Sequence, residues 1–195
     1  MENSTNNQST TIIMMRGLPG SGKSQIARVV QAQLQNHVVV LDPDGIDFSS
    51  EAYILMASQL RESGVDEKLY PYRFLRSQAH TAIENGKIVL WNQAFTHQDL
   101  LDRTIKNLTV YAHEVGKEVE IFVVEVDIEP DKALNRIQDR VMNGGHDVPQ
   151  EVFNRFVREY TTFESYGYPI IRISGDDDPA KSALKIIREA NLNLN

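Results

Sequence analysis

Five residues in the stretch GLPGSGKS have types and spacing suited to holding phosphate: Gly17, Gly20, Gly22, Lys23 and Ser24. They fit the pattern G-x-x-x-x-G-K-[ST] at every fixed position. Leu18, Pro19 and Ser21 complete the loop. Small residues let successive backbone N–H groups close around an anion, with the positive end of a following helix behind them. In that pattern the lysine reaches the β- and γ-phosphates, and the hydroxyl of Ser24 ligates Mg²⁺. The spacing therefore specifies a nucleoside triphosphate, ATP or GTP. It says nothing of what becomes of the phosphate.

Two further stretches bear on that question. VVVLDPDGID places Asp42, Asp44 and Asp47 just beyond an apolar run. In open α/β sheets ligands gather at the carboxyl ends of strands, so Asp44 is expected to face the phosphate loop. A carboxylate there can take the proton of an attacking hydroxyl. The same Asp-Pro-Asp-Gly sequence also reads equally well as plain turn chemistry. Further on, Arg136 and Arg140 are four residues apart and so share a helix face. The NGG that follows stops the helix, and a second helix, starting near 148–149, carries Arg155 and Arg158. Two helices joined by a glycine turn make a hinged lid over 130–160, and paired arginines suit a transferring phosphoryl group. Solvated arginines paired with acids such as Asp139 are the competing reading.

These residues need a scaffold. Five short apolar runs read as strands: 11–15, 37–41, 87–91, 119–126 and 169–174. Most are continuously apolar, the pattern of strands buried on both faces of a parallel sheet. Helical patterns lie between them. Ile26, Val29, Val30 and Leu34 follow the loop at helical spacing. Leu101, Ile105 and Leu108 form a stripe that ends at Gly116, and Asp178 with Pro179 opens a last helix. Alternating strand and helix imply an α/β fold with right-handed crossovers. The stretch 48–86 holds two more helices and is expected to form a substrate flap or simple packing.

Composition narrows the classes. The chain has 195 residues, enough for one domain, taken as 11–195 after a flexible polar leader at 1–10. The net charge of −7 counts against a broad nucleic-acid surface. With no cysteine there is no disulfide framework or thiolate metal site, which fits a reducing, cytoplasmic setting. No apolar run approaches a membrane span, and the start is not a signal peptide.

The order of these features, from the phosphate loop through LDPD to GGHDVP and the flanking arginines, resembles the P-loop kinases of the zeta-toxin and polynucleotide 5′-kinase group. The resemblance covers most of 11–175. It implies a P-loop NTPase fold with a five-stranded parallel sheet in the order 2-3-1-4-5 and a helical lid. It makes Lys23 and Ser24 the ATP and Mg²⁺ residues, Asp44 the catalytic base, and Arg136 and Arg140 the lid arginines. Asn92 stands where polynucleotide kinases carry an aspartate near the metal, and Asp47 where they carry a substrate-binding arginine. Arg103 falls near an arginine common after the third strand of the group. Zeta toxins phosphorylate UDP-N-acetylglucosamine, and an antitoxin-like protein partner is left open.

The leading expectation is a kinase acting on a hydroxyl of a small molecule or nucleotide-sugar. A polynucleotide 5′-hydroxyl kinase is the alternative within enzymes, against which the acidic chain and Asp47 count. A nucleotide-binding switch or slow ATPase is the alternative outside kinases, and lid arginines in the same chain argue against it. His146 is read as ordering the lid turn. Trp91 is read as core or as bordering the acceptor pocket. The tyrosines of YPY (70–72) and YGY (166–168) are read as loop packing, with stacking on a base or sugar the other option.

Overall fold

The computed structural model describes residues 9–160 and 167–192. Residues 1–8 of the expected leader and Tyr166 of YGY lie outside them. The five apolar runs become five strands, β1 Thr10–Arg16, β2 Val38–Leu41, β3 Ile88–Asn92, β4 Val119–Asp127 and β5 Ile170–Ser174. All neighbouring pairs are parallel, in the order β2-β3-β1-β4-β5. This is the order expected. Register explains why the runs are continuously apolar: Ile13 lies between Leu90 and Phe122, and Met14 between Trp91 and Val123. Alternate residues of each strand then feed the two opposite faces of the sheet.

Parallel strands need long crossovers, and helices supply them. The described residues form seven: α1 Lys23–Leu34, α2 Glu51–Glu62, α3 Tyr70–Glu84, α4 Gln98–Glu114, α5 Pro130–Met142, α6 Gln150–Glu159 and α7 Pro179–Glu189. One face of the sheet packs Ile13 and Met15 with Ile26, Val30 and Leu34 of α1 and Ala183 and Ile186 of α7. The other packs Ile12 and Met14 with Leu75, Ala79 and Ile83 of α3 and Leu101, Ile105 and Leu108 of α4. A small third cluster, Ile128, Ala133, Ile137 and Phe153, joins α5 to α6.

Local signals fix the helix ends. The Asp178 carboxylate accepts from the N–H groups of Ala180 and Lys181, and Pro179 occupies the first turn of α7. Ser50 caps α2 through Tyr53 N–H. Gly116 follows α4 at a φ of 72°. In the segment 48–86, α3 is part of the core layer, whereas α2 contributes no fully buried residue. No described helix is long and apolar enough to cross a membrane.

Candidate active site

The carboxyl ends of β1, β2 and β3 open onto one cleft of about 870 Å³. The turn from β1 into α1 is the phosphate loop. Its backbone cannot carry side chains at two places. A Cβ on Gly20 (φ 82°) would overlap the carbonyl oxygen of Ala133 in α5, and one on Gly17 (φ 152°) would lie 2.5 Å from Val126 O. The loop is therefore clamped between β4 and α5. The turn after β5 closes the same region, since a Cβ on Gly175 would lie 2.6 Å from Ser21 O.

Lys23 turns back over the loop. Its ammonium donates to Gly17 O at 2.9 Å, Leu18 O at 2.8 Å and Ser21 Oγ at 3.3 Å. Burial pushes its pKa down to about 8. The carboxylates of Asp42 and Asp44 oppose that shift, and the Arg140 guanidinium adds to it.

Ser24 points the other way, towards β2 and β3. Its hydroxyl donates to Asp42 Oδ2 at 3.0 Å. Asn92 Nδ2 donates to the same Asp42 oxygen at 2.6 Å and to Ser24 Oγ at 2.9 Å. The other Asp42 oxygen accepts the N–H of Asp44 at 3.0 Å. Asn92 is 2% exposed, and its buried Oδ1 has no hydrogen-bond partner among the described residues. A hydroxyl and a carboxylate thus converge at the start of α1, held together by the Asn92 amide N–H group. Hard oxygen donors of this kind fit Mg²⁺.

Asp42 was not singled out from the sequence, where it was one acid of three. Pro43 turns the chain so that Asp42 folds inward while Asp44 stays exposed on the cleft wall. Asp47 goes elsewhere: it does not line the cleft, and its carboxylate accepts from the Ser49 hydroxyl and N–H, which hold it below the usual carboxylate range.

Both expected arginines of α5 line the cleft. Arg136 donates to Gly175 O at 2.9 Å and pairs with Asp176 at 3.1 Å, while Lys132 reaches the other Asp176 oxygen at 2.5 Å. These cations, Lys132 first, keep Asp176 below the usual carboxylate range. Of the GDDDP turn after β5 the sequence reading gave only Asp178 and Pro179, as a helix start; Gly175 and Asp176 were missed, though their place beyond a strand's carboxyl end could have flagged them. Arg140 packs along Gly145 in the lid turn. His146, expected to order that turn, also lines the cleft. Arg103 pairs with Asp99 on the surface of α4, and neither it nor Arg155 or Arg158 lines the cleft.

A second wall, adjoining the loop, comes from the turn after β3. Phe95 is buried at a φ of 42°, a left-handed conformation that costs a bulky residue about 1–2 kcal/mol. Packing of its ring in the core sustains this bend, and Ala94 O accepts the N–H of Gly17 at 3.3 Å. Trp91 is core, with its Nε1 donating to Gln93 Oε1 at 3.1 Å, and Gln93 lines the cleft. Tyr72 of YPY lines it too, whereas Tyr70 is buried.

Solved structures share this fold. A candidate kinase from Chloroflexus aurantiacus aligns over 96% of this chain and 100% of its own, with a TM-score of 0.62 and 14% identity. A fungal RNA kinase aligns over 96% of this chain and 88% of its own, with a TM-score of 0.61 and 12% identity. The PezAT toxin-antitoxin structure from Streptococcus pneumoniae aligns over 89% of this chain and 72% of its own, with a TM-score of 0.52 and 18% identity. No curated protein matches the sequence. The AAA domain family model AAA_33 matches residues 12–163, so the chain belongs to that family and has its P-loop kinase-like fold.

Proposed function

We propose that the protein is an ATP-dependent kinase that transfers the γ-phosphoryl group to a hydroxyl of a small molecule or nucleotide-sugar. The supporting observation is the division of labour between two carboxylates in one cleft. Asp42 is occupied by three donors, the Ser24 hydroxyl, the Asn92 amide and the Asp44 N–H. Asp44 keeps its carboxylate on the cleft wall.

In this reading the loop N–H groups and Lys23 hold the β- and γ-phosphates of ATP. Ser24 and Asp42 would hold Mg²⁺, whose charge offsets that of the phosphates, with Asn92 orienting the two oxygens. The acceptor oxygen attacks the γ-phosphorus while Asp44 takes its proton. The β–γ bridging bond breaks and ADP leaves. Arg140 supplies positive charge to the transferring group, and Arg136 ties α5 to the turn after β5 so that Arg140 is presented at a fixed height.

Incubation with γ-labelled ATP and a panel of UDP-sugars, nucleosides, oligonucleotides and small metabolites tests the reaction. Asp44→Asn is expected to lower kcat by about a hundredfold or more with ATP affinity unchanged. Full activity of that variant would refute the base assignment. Label released only to water would refute the kinase reading.

A further inference from the structure

We infer, on the basis of the kinase reading, that Gly145 is a positioning residue for Arg140: its bare backbone clamps the arginine stem and so fixes where the guanidinium meets the transferring phosphoryl group. The lid turn holds two adjacent glycines, and each is glycine for a different reason. Gly144 follows the end of α5 at a φ of 78°, a left-handed conformation that favours glycine, and a Cβ there would have nothing within 4 Å. Gly145 lies outside the left-handed region, so its φ does not call for glycine. What excludes a side chain there is Arg140. A Cβ on Gly145 would lie 2.5 Å from Arg140 Cγ, 3.2 Å from its Cδ and 3.0 Å from its carbonyl oxygen.

Backbone hydrogen bonds bring the two residues together. Gly144 N–H donates to Val141 O at 2.9 Å and Gly145 N–H to Arg140 O at 2.9 Å, the paired bonds of a Schellman ending. That ending folds the residue after the left-handed one back over the last turn of the helix, where an apolar side chain often makes the contact. Here the contact is the methylene stem of Arg140 on bare backbone. The two arginines of α5 are thus held in different ways. Arg136 is held by its head, through Gly175 O and Asp176. Arg140 lines the cleft and makes no hydrogen bond or ion pair among the described residues. A grip on its stem leaves the N–H groups of its head for an anion.

Such a grip bears on rate. A long side chain has many rotamers, and a charge stabilises a transition state best when it is in place before the negative charge develops. On a helix χ1 has two open wells. A methyl group on residue 145 would drive the Arg140 stem out of its well or lift the turn, and either displaces the head. Ground-state ATP, held by the loop N–H groups and Lys23, would not register the loss.

The test uses the full chain and needs no identified acceptor. ADP with Mg²⁺ and aluminium fluoride is the probe, since the fluoride anion stands in for the moving phosphoryl group. Gly145→Ala is expected to weaken ADP binding in aluminium fluoride by about tenfold or more, with affinity for ADP alone and for ATP within about twofold of wild type. Arg140→Ala should do the same. Adding Gly145→Ala to Arg140→Ala should cost nothing more, because the methyl then has no stem to displace. Gly144→Asn, which keeps the left-handed turn, should bind as wild type does. Without nucleotide, the Arg140 Nε–H NMR signal, identified by its loss in Arg140→Ala, should show a high order parameter that falls in Gly145→Ala. Wild-type affinity for the aluminium fluoride complex in Gly145→Ala would overturn the inference. So would an equal loss when that change is made in the Arg140→Ala background, an equal loss in Gly144→Asn, or an unchanged order parameter. A wild-type chain that binds ADP no more tightly with aluminium fluoride than without it would sink the kinase reading instead, and the Arg140 signal would still decide the clamp.

Discussion

Lys23 carries its charge where burial works against it. With a pKa near 8, the ammonium is present at pH 7 and is lost as the pH passes through about 8. Phosphate needs the charged form, so ATP binding above pH 8 must draw in a proton. The affinity for ATP is expected to fall above about pH 8, by up to about tenfold per pH unit. Titration calorimetry in buffers of different ionisation enthalpy would show the uptake, and Lys23→Met should remove the slope. Stability runs the opposite way. The unfolded chain keeps this proton up to about pH 10.5, so the native state is penalised below pH 8 and gains stability between those values. At this scale the sequence showed residue types but not their directions. Lys23 and Ser24 follow from a motif whose geometry is fixed by its own backbone. Asp42 and Asp44 are two residues apart in one short turn. Which of them meets Ser24 depends on the bend that Pro43 imposes and on Asn92 arriving from a different strand.

The elements were far more legible than their contacts. Each strand lies within a residue of its apolar run, because burial on both faces leaves an unbroken signature. The break between α2 and α3 and the stop at Gly144 follow from local residue chemistry. What the sequence could not show is that α5 presses its backbone against the phosphate loop, since that depends on the crossover from β4. Gly20→Ala tests this contact. The added methyl would collide with Ala133 O and sit at a φ of 82°, so either the loop or α5 must shift. ATP affinity should drop by about tenfold or more, a loss of about 1.4 kcal/mol, while the far-UV circular dichroism spectrum stays unchanged. Wild-type affinity in this variant would show that the contact does not shape the loop.

Across the whole molecule, the strand order came from family resemblance rather than from spacing, because nothing local says which strands become neighbours. That order has an electrostatic result. Arg16, fully buried at the end of β1, stands in register with Glu125 on β4 and pairs with it at 2.9 Å. The partners are too far apart in sequence for any periodicity to link them. Glu125→Ala takes the carboxylate away from a buried guanidinium and is expected to cost about 3–5 kcal/mol, lowering Tm on the order of 10 °C in calorimetry. The double variant Arg16→Met, Glu125→Leu should recover most of that loss. The guanidinium of Arg16 also lies 4.2 Å from the ring centroid of Tyr160, the residue that closes α6. The arm formed by α5 and α6 leaves the sheet just past Glu125 and comes back to Arg16, one residue before the phosphate loop begins. It is a bail handle with both feet on one plate, so a pull at its tip is felt as torque at the phosphate loop.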